Sequence, residues 1–80
     1  MAIIICDYNF MEKFNVGCQD EFDELTDEQV ADLANDADNR ENGIDVFKTD
    51  KDLEAAWRTE EVLYPEFSYM RVVPNDLLTF

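Results

Sequence analysis

Histidine is absent from this chain, glycine and proline occur twice each, and cysteine is present only at positions 6 and 18. Each shortage excludes a class of function. Without histidine there is no Cys–His pair, no Ser–His–acid triad and no conventional zinc ligand set. Nucleophilic side chains such as Cys6 or Ser68 remain, but no motif places an obvious base beside them. With Gly17 and Gly43 as the sole glycines, no glycine-rich phosphate loop can be built. The longest opening apolar run, Ala2 to Cys6, is far too short for a signal-peptide core or a transmembrane span. Two isolated thiols in such a chain fit a reduced, cytoplasmic protein; sequence spacing cannot supply the Cα separation that a bridge would need.

Positive charge is also scarce. Six Lys and Arg stand against twenty Asp and Glu, for a net charge of −14. The six are dispersed at Lys13, Arg40, Lys48, Lys51, Arg58 and Arg71, so no basic patch exists for nucleic acid or an anionic membrane. Calcium chemistry fails on spacing as well. Placing Gly43 at the sixth position of a calcium loop puts Arg40 at the third ligand position and Thr49 where the bidentate glutamate belongs. We therefore expect no enzyme, no cofactor and no dedicated metal site.

What the chain does contain is a foldable core. Of its 80 residues, 46% are hydrophobic, with six Phe, three Tyr and one Trp, too apolar for an acidic disordered tail. Residues 1–80 make one small acidic domain, with a surface of roughly 5,000 Å² from size scaling. "AIIIC" reads as a central strand buried on both faces. "DYNFMEKFNVGCQ" reads as a helical turn or an irregular loop over the core. Thr26 and Gln29 form a capping box that starts a helix at Asp27, with Leu25 set to staple Val30. Its inward stripe is Val30, Leu33, Ala34 and Ala37, and "NRENG" stops it. Residues 44–48 read as a second strand, and Thr49 caps a helix through "DKDLEAAWRTEE" with Leu53, Ala56 and Trp57 inward. Residues 67–73 form a third strand. The outline is β-α-β-α-β, an α+β fold with an approximately three-stranded sheet and two main helices on one face. Strands two and three would flank a right-handed crossover if they were parallel neighbours.

The acidic stretch sets the functional expectation. Between Asn15 and Asn39 stand Asp20, Glu21, Asp23, Glu24, Asp27, Glu28, Asp32, Asp36 and Asp38, with no Lys or Arg among them. Ordinary solubilising surfaces mix both signs. Glu24, Glu28, Asp32 and Asp36 recur every fourth residue, a step of about 6 Å along a helix. Like charges at that spacing weaken the helix by a few tenths of a kcal/mol per pair. About 30 Å of duplex carries roughly 18 charges, close to the protein's own net charge. These nine residues are thus the expected partner-binding set of a nucleic-acid mimic. It would occupy the basic groove of a nucleic-acid-binding protein such as a nuclease, as an anti-restriction or anti-CRISPR counter-defence protein of a virus would. The alternative is an acidic adaptor, or a viral structural or accessory protein, that binds through exposed aromatics such as Tyr64 and the tail "LLTF". Dimerisation would enlarge either surface and its small core.

Overall fold

A computed structural model describes residues 1–58 and 68–80, apart from the side chain of Trp57. Ala2–Asp7 forms β1, the centre of a three-stranded sheet. Its flanks are β2, Ile44–Phe47, and β3, Ser68–Val73, and both pair with it antiparallel. Strands two and three are therefore not neighbours: β1 lies between them, so no simple crossover unit forms. β1 takes the centre because its run of three isoleucines can be buried on both faces, which an edge strand does not require.

Register divides the side chains cleanly. Ala2, Ile4 and Cys6 share one face with Val73, Arg71 and Tyr69 of β3 and with Val46 and Ile44 of β2. Ile3, Ile5 and Asp7 share the other with Val72, Met70 and Ser68, and with Phe47 and Asp45.

The α+β class and the three strands match the sequence reading, but the helices do not. Five α-helical segments, not two, accompany the sheet among the described residues: α1 Tyr8–Met11, α2 Gln19–Asp23, α3 Asp27–Asn35, α4 Ala37–Asn42 and α5 Asp50–Arg58. Nor do they share one face. Met11, Phe22, Val30 and Ala34 bring α1, α2 and α3 onto the first face, in the larger core with Val16, Ile44 and Tyr69. Leu53 and Ala56 of α5 cover Ile3, Ile5 and Phe47 on the opposite face. The additional helices are short segments: α1 and α2 each bury one anchor, Met11 and Phe22, whereas α4 buries none. Phe22, fully buried and stacked on Tyr69 with centroids 5.7 Å apart, is the anchor of α2; burial of such a ring contributes about 2–3 kcal/mol.

The long acidic helix is likewise two helices. The capping box forms as expected, with Thr26 Oγ1 accepting from the Gln29 amide and Gln29 Oε1 from the Thr26 amide. α3 nevertheless ends at Asn35, because Asp36 is extended (φ −80°, ψ 118°) and caps α4 by accepting from the Asp38 amide at 2.9 Å. The carbonyls of Leu33 and Ala34 at the end of α3 then accept from Asn39 Nδ2 and Arg40 Nη1, which satisfies groups a helix terminus leaves open. Ala37, expected inside, is exposed, and Ala31 takes a buried place instead.

The C-terminal residues dock onto this pair. Asn35 donates to the Leu77 carbonyl and accepts from the Thr79 amide, while Leu78 packs on the main core. The segment 59–67, including Tyr64, Pro65 and Phe67, lies outside the described residues, as does the inward placement expected for Trp57.

Candidate functional site

The acidic surface is carried by α2, α3, α4 and their joints. Asp20, Glu21, Asp23, Glu24, Glu28, Asp32, Asp36 and Asp38 are exposed, and Asp27 is half-buried. They do not form one continuous helical stripe. Glu24 ends α2, Glu28 and Asp32 lie one turn apart on α3, and Asp36 sits in the bend before α4.

Four of the nine have local structural work. Glu21 accepts from the Gly17 amide and the Cys18 thiol, and Asp23 from Gln19 Nε2. Asp36 caps α4, and Asp38 accepts from Asn42. Asp27 is different: it pairs with Arg71 Nη2 at 2.8 Å. The carboxylates of Asp20, Glu24, Glu28 and Asp32 have no hydrogen-bond or ion-pair partner among the described residues.

Arg71 is the residue that the sequence reading overlooked. From the inward face of β3, its Nη1 donates to the carbonyls of Phe22 and Leu25 at 2.7 and 2.9 Å, so it holds the end of α2 as well as Asp27. A signal was present. In "SYMRVV" Arg71 has the same alternation parity as the buried Tyr69 and Val73, and a cation on an inward face needs acceptors.

Among the described residues, no cation other than Arg71 pairs with one of the nine carboxylates. Lys13 lies over the rings of Phe10 and Phe14, Arg40 over Phe80 at 3.9 Å, and Lys48 reaches both the ring and carbonyl of Phe80. Arg58 pairs with Glu54 on α5, an exposed contact of little energetic weight. Aromatic rings, rather than carboxylates, thus take half of the basic side chains. The negative surface keeps its field.

Two hollows are formed by described residues. One, of about 240 Å³, lies at the end of the sheet and is lined by Asp7, Glu41, Asp45 and Ser68, with Ile5 among its apolar walls. Burial there raises the Asp45 carboxyl above its ordinary range. The other, about 510 Å³, is lined by Tyr8, Glu12, Val16, Cys18, Gln19 and Tyr69. Cys6 is buried, and that burial, followed by the charge of Asp45, pushes its thiol up to about 12. Both cysteines are free, Cys18 at the surface. Among the described residues, no group of three His, Cys, Asp or Glu side chains is arranged to hold a metal ion, and no helix is long and apolar enough to cross a membrane.

Comparison with known proteins yields no matching family model, no matching curated protein and no matching solved structure.

Proposed function

We propose that this protein is a nucleic-acid mimic, an inhibitor that places carboxylates where phosphates would lie in the basic groove of a DNA- or RNA-binding protein. The observation that carries the reading is the cluster of nine acidic residues on α2 to α4, eight of them exposed and only Asp27 paired with a cation among the described residues. The nine carboxylates are distributed over α2, α3, α4 and their joints rather than along one straight helix. A nuclease of a restriction or RNA-guided defence system is the target class that suits so small an acidic inhibitor. A virus-encoded counter-defence protein in the host cytoplasm is its natural setting.

The test is affinity capture from cell lysate with wild type beside an E24Q/E28Q/D32N/D36N variant. Asn at position 36 preserves helix capping while removing the charge, and Asp27 is left to Arg71. Capture of a nucleic-acid-binding protein by wild type, weakened at least about tenfold in the variant and by added salt, supports mimicry. Equal capture by both forms contradicts it.

A second reading rests on apolar exposure. Met70 and Val72 are 41% and 49% exposed on β3, and Phe14 and Phe80 project as well. An acidic adaptor would use such residues as anchors with the charges steering approach. Its binding would survive the fourfold neutralisation and fail on Val72→Ser or Phe80→Ala.

A further inference from the structure

Ser68 has the one buried side-chain oxygen without a hydrogen-bond partner among the described residues. The residue is 3% exposed, and it lines the smaller hollow. A buried hydroxyl left unpaired costs about 1–3 kcal/mol. Its retention at the wall of a cavity therefore calls for an explanation.

The sheet register explains what surrounds it. Ser68 stands opposite Asp7, and both lie on the face that carries Ile5 and Asp45. Directly opposed Cβ atoms lie about 4.5–5.5 Å apart. The Asp7 amide bonds the Gly43 carbonyl, so Asp45, two residues on, is the diagonal neighbour of Asp7, at about 7–8 Å. Asp7 Oδ1 accepts from the amides of Asn9 and Phe10, and its second oxygen has no partner among the described residues. Ile5 supplies an apolar wall, and Glu41 adds a further carboxylate to the lining. Among the described residues of the lining Arg40 is the only cation, but its guanidinium lies over Phe80 and donates to the Ala34 carbonyl.

We propose that this hollow binds the guanidinium group of an arginine side chain of the partner, received by Asp45, the second oxygen of Asp7 and the Ser68 hydroxyl. A planar group with five donors matches a set of acceptors spread around a cavity. Its weak hydration suits a partly buried place better than a compact ammonium does, and the apolar wall takes the methylene stem. Burial raises the Asp45 carboxyl, an effect that a cation bound beside it would oppose. The identity of the partner rests on the mimic reading, because basic grooves are lined with arginine. The recognition itself does not require that partner.

The full chain, labelled with 15N, is titrated with methylguanidinium chloride and separately with methylammonium chloride at matched ionic strength. Saturating shifts at the amides of Asp7, Asp45 and Ser68 are expected for methylguanidinium, with clearly weaker binding of methylammonium. Asp45→Asn should weaken the interaction at least about fivefold and Ser68→Ala about two- to fivefold. Asp76→Asn, exposed and outside both the hollow's lining and the nine acidic residues, should leave it unchanged. The amide spectrum of each variant reports whether it is folded. Shifts that never saturate, that spread equally over α2 and α3, or that persist in Asp45→Asn would overturn the site, as would equal binding of the two cations. Because no partner is present, failure here is distinct from failure of the affinity capture.

Discussion

Gly43 lies against the side chain of Phe10, so its constraint is space. A Cβ there would lie 2.3 to 2.7 Å from three atoms of Phe10, including the Cβ of that residue. Gly43→Ala should therefore destabilise the fold by about 1–3 kcal/mol, measured by urea unfolding. At Asp45 the effect has the opposite sign. Burial raises this carboxyl above 3.8 in the folded state. Its contribution is thus fully present below the unfolded pKa and lost as pH rises through the raised folded value. Asp45→Asn should raise the melting temperature at pH 7, and the gain should shrink as pH falls toward about 4. A gain that is constant with pH would show that shape, rather than charge, is responsible.

At the scale of elements, Glu28 and Asp32 repel one another one turn apart on α3, and neither has a neutralising partner among the described residues. Glu28→Gln/Asp32→Asn should accordingly stabilise the protein by a few tenths of a kcal/mol while weakening capture of the partner. A stabilising substitution that impairs binding marks a surface kept for function. Where strong local signals act, the elements were legible in the sequence: the isoleucine run of β1, the Thr26–Gln29 box, and the Thr49 cap, whose Oγ1 accepts from the Asp52 amide. Two features were not. The break at Asp36 depends on the competition between continuing α3 and capping α4, and it is won through Asn39 and Arg40, which reach back to α3 carbonyls. The assignment of α5 to its own face depends on tertiary pairing that no local pattern specifies. The acidic set was legible as composition, whereas the Arg71–Asp27 pair required 44 residues of chain to be folded together. The Ser68 hollow required three strand ends to meet.

At the scale of the molecule, 5096 Å² of surface carries a net charge of −14, about one negative charge per 360 Å². Two ion pairs among the described residues do little to offset that repulsion. The melting temperature should therefore rise by several degrees between about 20 mM and 500 mM salt, as screening shortens the range of repulsion. A fall would mean that the ion pairs outweigh the repulsion. The same charge that weakens the fold is expected to draw it to a basic groove. The most direct measurement of that claim is competition. A captured nucleic-acid-binding protein is loaded with fluorescent duplex or guide strand, and anisotropy is followed as this protein is added. Stoichiometric release of the nucleic acid by wild type, absent with E24Q/E28Q/D32N/D36N, is the expected result. A ternary complex in which partner, nucleic acid and this protein remain bound together would contradict mimicry.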